Sequence, residues 1–262
     1  MNGGENKPMI QVCHLNKQFD GKIILNDVNL KVMKGESHIV IGLSGTGKSV
    51  LLKCILGLLQ ADSGEVLVNG EDWCCLSNTE KLKRMRCIGM VFQGAALFDS
   101  LPVWENVAFV LRRQGMKEKE ARERAEEVLE KVGLPHTGDK MPAELSGGMV
   151  KRVGLARAIC HRPKIILYDE PLSGLDPVMS DVITRLMRQL HEEMNVTSLT
   201  IAHSMKLVRD FGDQVSMLYQ GRIHLQTPAS QLDSQDDPIF RQFVEGRADG
   251  PLDTNNHQGS LK

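Results

Sequence analysis

"SHIVIGLSGTGKSVLLKCILGLL", residues 37–59, sets a short apolar run, a glycine-rich turn and a helix-period apolar stretch back to back. Ile39, Val40 and Ile41 make a nearly unbroken apolar segment of the kind buried on both faces of a parallel sheet. Leu51, Leu52, Ile55, Leu56 and Leu59 then recur at helical spacing. Between them "GLSGTGKS" (residues 42–49) satisfies G-x-x-x-x-G-K-[ST] in full, with Gly42, Gly47, Lys48 and Ser49 at the fixed positions. Strand, glycine turn and helix in that order are what a phosphate-binding loop requires. The glycines let the backbone of Leu43, Ser44, Gly45 and Thr46 curl so that successive N–H groups face phosphate oxygens at a helix N-terminus. Lys48 then reaches the outer phosphates, and the Ser49 hydroxyl is placed to ligate Mg²⁺.

A second stretch supplies carboxylates. "IILYDE" (residues 165–170) is a four-residue apolar strand with Asp169 and Glu170 at its carboxyl end. Adjacent acids at a buried strand tip need a partner, because unpaired buried charge is costly. The metal of a bound nucleotide is such a partner. Asp169 is therefore assigned to the metal, and Glu170 to orienting or deprotonating an attacking water. Upstream, Ser146-Gly147-Gly148 heads another helix, but with no lysine beside it.

The rest of the chain frames these pieces. "NDVNLKV" puts Val28, Leu30 and Val32 on one face, and "EVLVNGED" pairs Val66 with Val68 ahead of an Asn69-Gly70 turn. Both read as antiparallel strands. Residues 117–132 form an amphipathic helix with Ala121, Ala125, Val128, Leu129 and Val132 inward and Gly133 as its C-terminal cap. A helix begins at Asp176-Pro177, and the strand "SLTIA" leads into His203. Strands alternating with helices predict an α/β fold with a mainly parallel sheet core, an antiparallel β addition and a helical subdomain over about residues 95–160.

Composition narrows the function classes. A formal net charge of −1 over 262 residues gives no basic footprint for nucleic acid. Apolar stretches such as "LLKCILGLL" fall short of the ~18 residues that suggest a membrane span. The N-terminus shows no signal-peptide pattern. The six cysteines have neither zinc-ligand nor disulfide-scaffold spacing, so adjacent Cys74 and Cys75 read as reduced thiols. The polar stretch beyond Ala248 reads as frayed.

"LSGGM" (Leu145, Ser146, Gly147, Gly148, Met149) closely resembles the LSGGQ signature of ABC-type ATPases, and the other family motifs follow in order. Phe19 stands where the family stacks adenine, Gln93 matches the Q-loop, Asp176 in "SGLDP" the D-loop, and His203 the switch histidine. The resemblance covers residues 9–245 and leaves 246–262 as a tail that is flexible or contacts a partner. It implies a P-loop NTPase of ABC type that hydrolyses ATP, with Glu170, His203 and Gln93 catalytic and Ser49, Gln93 and Asp169 around Mg²⁺. It also implies a homodimer in which the signature of one copy caps the nucleotide on the other copy's P-loop. That accounts for a second glycine turn without a lysine. Two positions depart from the family: Phe19 lacks the usual tyrosine hydroxyl, and Met149 replaces a glutamine.

"FQGAALFDSLPVWENVAF" (92–109), "LSGGMVKRVGLARAI" (145–159) and "RQFVEGRADGP" (241–251) look like the ATPases of Mla/Mce-type phospholipid transport systems. That likeness implies a separate integral-membrane permease, a STAS-domain protein, a periplasmic lipid-binding Mce-type protein and a place on the cytoplasmic face of the bacterial inner membrane. Phe98, Leu101, Val103 and Trp104 are the residues expected to line the permease groove. The alternatives are an importer ATPase for another solute and a soluble ABC ATPase outside transport.

Overall fold

The computed structural model describes residues 7–73 and 76–252, so Cys74, Cys75 and residues 253–262 lie outside the described residues. The chain divides into two compact units, Met1–Leu76 with Thr200–Lys262, and Ser77–Leu199.

The first unit opens with β1 (Pro8–Phe19), β2 (Lys22–Met33), β3 (Ser37–Ile41), α1 (Lys48–Ile55), β4 (Ser63–Val68) and the short β5 (Glu71–Asp72). Strands β2, β1, β4 and β5 form, in that order, a four-stranded antiparallel sheet. Its registers Ile10↔Val32, Val12↔Leu30, Leu15↔Val28 and Val12↔Val66 stack one apolar face of fully buried side chains. The spacing from Val12 to Leu15 breaks the alternation. His14 (φ 49) and Asp27 (φ 55) sit at irregularities on the paired strands, and the extra residue keeps Leu15 on the core face.

The second unit contains α2 (Asn78–Arg84), β6 (Ile88–Val91), α3 (Val103–Arg113), α4 (Glu118–Lys131), α5 (Gly147–Ile159), β7 (Ile165–Asp169) and α6 (Pro177–Met194). Strands β6 and β7 are parallel, with Val91 opposite Tyr168. Helix α4 buries Ala121, Ala125, Val128 and Leu129, and Gly133 follows at φ 71, the left-handed geometry of a C-terminal cap. Strand β8 (Thr197–Ile201) returns the chain to the first unit, which closes with α7 (Met205–Phe211), β9 (Gln214–Tyr219), β10 (Arg222–Pro228) and α8 (Pro238–Glu245). There β3 runs parallel to β9, and β9 antiparallel to β10.

Residues 249–252 depart from the frayed stretch expected beyond Ala248, and the rest of that stretch lies outside the described residues. Gln242 on α8 is buried; its amide donates to the carbonyls of Arg247 and Ala248, and its Oε1 accepts from Leu252 N at 2.7 Å. Leu252 is buried as a result. A buried glutamine that satisfies three backbone groups makes this hook far less costly than a free polar end.

Candidate functional site

The phosphate-binding loop lies wholly in the first unit. All five residues of β3 are buried, and the strand delivers the chain into Gly42 beside β9. A side chain at Gly42 (φ 153) would run into the Leu218 carbonyl of that strand, so only glycine fits. Gly45 and Gly47 take φ 74 and 101, and Thr46 Oγ1 donates to Leu43 O at 2.9 Å, which closes the turn. Lys48 is 5% exposed, and its Nζ donates to Gly42 O (2.9 Å) and Leu43 O (2.8 Å). The ammonium is thus held across the mouth of its own loop. Gly47 caps α1 without a side-chain bond, and the first turn carries no acid, so no side-chain acid of that turn competes with an anion for the helix dipole. Phe19 ends β1 and is 43% exposed. His203, just past β8, is exposed in the same unit.

The carboxylates lie in the second unit. Ile165, Ile166, Leu167 and Tyr168 are fully buried, and burial pushes the Tyr168 phenol far above its ordinary range. Asp169 and Glu170 emerge half-buried at the strand's carboxyl end. Glu170 has φ 49, a left-handed backbone that costs a non-glycine residue on the order of 1–3 kcal/mol and persists where the surroundings impose it. The β6–β7 register carries Gln93 alongside that turn, and Gln93 Nε2 donates to Ser173 Oγ at 3.1 Å. Glutamine, strand-tip acids and the SGLDP loop are therefore brought together. Asp176 caps α6, accepting from Val178 N and Met179 N, both at 2.9 Å.

Ser146 caps α5 in the same unit, its Oγ accepting from Met149 N at 3.4 Å. Ser146 and Gly147 are exposed, whereas Leu145, Gly148 and Met149 are half-buried. A Cβ on Gly147 would meet nothing within 4 Å, so this helix start is open to an incoming group.

Comparison with known proteins decides what these motifs belong to. The ABC transporter family profile matches residues 25–173. The chain belongs to the ABC transporter family. Among its relatives, the probable ribonucleotide transport ATP-binding protein mkl of Mycobacterium leprae is 40% identical over 255 residues, covering 95% of this chain and 74% of that one. The intermembrane phospholipid transport system ATP-binding protein MlaF of Haemophilus influenzae is 37% identical, with 94% of each chain covered. Among solved structures, a dimeric ATP-binding cassette in a post-hydrolysis state with ADP and Pi superposes with a TM-score of 0.78 at 32% identity, covering 84% of this chain and 99% of that one. The chain is thus an ABC-type ATPase with the α/β fold its motifs implied. Among the described residues no helix is long and apolar enough to cross a membrane.

Two residues of this ABC ATPase escaped the motif reading. Lys151 and Arg157 on α5 are buried, at 8% and 9% exposure. Lys151 Nζ donates to the Gln93 carbonyl, and Arg157 donates to the carbonyls of Ala95 and, at 2.6 Å, Ala96. Ala95 and Ala96 take φ 57 and 48, so the guanidinium pins two consecutive left-handed residues. Gly154 lets α5 approach closely, since a Cβ there would lie 3.1 Å from Ala95 Cβ. Burial lowers the pKa of both cations, and backbone carbonyls accept their hydrogen bonds. Arg157→Met orphans the buried Ala95 carbonyl and strips the exposed Ala96 of its side-chain partner, at about 1–3 kcal/mol for the buried acceptor. A thermal melt of the purified chain is expected to shift down by several degrees, and an unchanged midpoint would show that the loop holds itself.

Of the four residues expected to line the groove after the Q-loop, Phe98 alone does so. Val103 and Trp104 start α3 but point into the core, at 0% and 7% exposure, and Leu101 is half-buried outside the groove lining. Phe98 does line a groove of about 750 Å³, together with Phe92, Phe109, Ile88 and Met90 and the basic Arg86 and Arg113. Phe98 and Phe109 stack at 4.5 Å between ring centroids. The helix-period pattern of α3 could not tell its core face from its groove face. The described cysteines are free, and burial pushes the Cys160 thiol up to about 11, which keeps it protonated.

Proposed function

We propose that this ABC ATPase powers phospholipid movement between the inner and outer bacterial membranes through a separate permease, working as a homodimer on the cytoplasmic face of the inner membrane. The single observation that supports phospholipid as cargo is the near end-to-end match with the MlaF-type protein. The ribonucleotide named for the mycobacterial relative keeps a polar-solute importer as the second reading, because cargo is not encoded in the ATPase chemistry.

In this reading the triphosphate lies along Gly42–Ser49 with Lys48 on its outer phosphates, and adenine stacks on Phe19. Ser49 Oγ, Gln93 Oε1 and Asp169 are oxygen donors suited to a hard cation, so they would hold Mg²⁺, which neutralises charge developing on the phosphates. Glu170 takes the proton of the attacking water, and His203 donates a hydrogen bond towards the γ-phosphate. Ser146, Gly147 and Gly148 of the second copy offer a hydroxyl, N–H groups and a helix dipole to the same phosphate. The groove floored by Phe92, Phe98 and Phe109 receives a cytoplasmic helix of the permease, whose acidic side chains would meet Arg86 and Arg113. A STAS-domain protein and a Mce-type lipid-binding protein complete the assembly.

Purification of the tagged chain from its host in detergent is expected to bring down a polytopic permease and co-extracted phospholipid. Recovery with a soluble solute-binding protein instead would favour the importer, and recovery without any membrane protein would sink the transport reading.

A further inference from the structure

Phe19 is an exposed aromatic at a polar hairpin tip. The turn between β1 and β2 is Asp20-Gly21, with φ 48 and 79, the pair of positive angles a two-residue hairpin requires. Around it stand Lys17, Asp20 and Lys22. The Lys17 ammonium lies over the Phe19 ring, 5.2 Å from its centroid. That is within the distance at which a cation is held by an aromatic face.

Lys17 is also anchored from the other side. Its Nζ donates to Asp62 Oδ1 at 2.7 Å, and Asp62 Oδ2 accepts from Gln18 N at 2.6 Å. Asp62 N in turn donates to Asn16 O at 2.9 Å. One carboxylate thus grips both the lysine and the backbone of β1 between Lys17 and Phe19. The Lys17 side chain is 13% exposed, unusually low for a lysine at a hairpin tip. The arrangement is a three-layer stack: carboxylate, ammonium, ring.

The stack adjoins the phosphate loop. Leu25 pairs with Lys17 across the hairpin, and a Cβ on Gly47 would lie 3.1 Å from Leu25 Cδ2 and 3.0 Å from Ile24 Cγ2. The β2 backbone opposite Lys17 therefore backs directly onto the P-loop glycine that precedes Lys48.

We propose that Lys17, fixed by Asp62, is a positioning residue for nucleobase recognition: it occupies one face of Phe19 and leaves the other for a purine. This inference rests on the reading of Phe19 as the adenine platform. A pinned cation does two things for a stacking base. It orders the ring, so that less side-chain entropy is lost on binding. It also draws π density from the ring, which strengthens contact with an electron-rich purine on the opposite face. The phenylalanine here has no hydroxyl with which to fix its own orientation, so the lysine supplies the constraint.

Displacement of a fluorescent ATP analogue from the full-length chain by ATP, CTP and inorganic tripolyphosphate tests this. Lys17→Met is expected to weaken ATP roughly two- to five-fold, CTP less, and tripolyphosphate not at all. Lys17→Arg keeps a cation over the ring and is expected to restore the ATP preference. Asp62→Asn retains the lysine but loosens it, and should move ATP in the same direction by a smaller factor. If Lys17→Met and Asp62→Asn leave the ATP-to-CTP preference intact while Phe19→Ala lowers it, the lysine assignment falls and the platform stands. If Phe19→Ala also leaves it intact, both fall. An equal loss for all three competitors would place Lys17 in the fold or on the phosphates and overturn the proposal.

Discussion

Glu170→Gln is expected to cut steady-state phosphate release by about a hundredfold or more while leaving ATP bound, since positioned general bases contribute about 10²–10⁴. The amide keeps the shape of the side chain but cannot accept a proton. Two observations single out Glu170 over its neighbour. Asp169 is the last residue of β7, with a strand backbone, whereas Glu170 is turned into the left-handed region immediately after it. The backbone therefore changes conformation between the two acids, and in the proposed mechanism the first takes the metal role and the second the base role. The same turn lies alongside Gln93, whose amide reaches Ser173, so half-buried Glu170 stands beside a polar loop at the carboxyl end of the apolar strand. Phosphate release measured beside retained, unhydrolysed ATP reads both halves of the prediction. An unchanged rate would remove Glu170 as the base, and loss of ATP binding would assign it to the nucleotide's ground state.

What could be read from the sequence was what local chemistry dictates. The P-loop must be strand, glycine turn and helix, and each of those has its own residue signature. Asp176-Pro177 announced α6 because capping and a missing N–H are one-residue effects. Strand β1 went unread because the irregularity at His14 shifts its apolar residues to positions 10, 12 and 15, out of period two. Strand β6 is four residues long and contains Gly89, where a side chain would strike the Ala158 carbonyl of α5. Helix packing chose that glycine, so strand propensity could not reveal it. The hairpin of β9 and β10 turns at Gln220-Gly221, with φ 47 and 76, and glutamine is a poor advertisement for such a turn. Lys151 and Arg157 were illegible for a different reason. Basic residues on a helix read as a solvated face, and only the folded loop supplies the carbonyls that allow them to be buried.

Mixing two inactive variants gives the sharpest outcome. Lys48→Ala removes the ammonium that spans Gly42 O and Leu43 O, and is expected to abolish productive ATP binding. Ser146→Arg leaves the first unit's loop untouched. It replaces an exposed cap, at a local cost of about 1 kcal/mol, and fills the space in front of Gly147. That variant should bind ATP normally and fail to turn it over. If each pocket combines the P-loop of one copy with the signature of another, a mixed dimer holds one pocket with both defects and one with neither. Random pairing makes half the dimers mixed, each with one of two pockets intact, so activity should return to roughly a quarter of the wild-type rate. Were P-loop and signature of the same copy to act together, every pocket in the mixture would carry a defect and nothing would return. The titration of one variant into the other therefore separates a shared pocket from a self-contained one, and a flat line would refute the dimer on which the proposed hydrolysis depends.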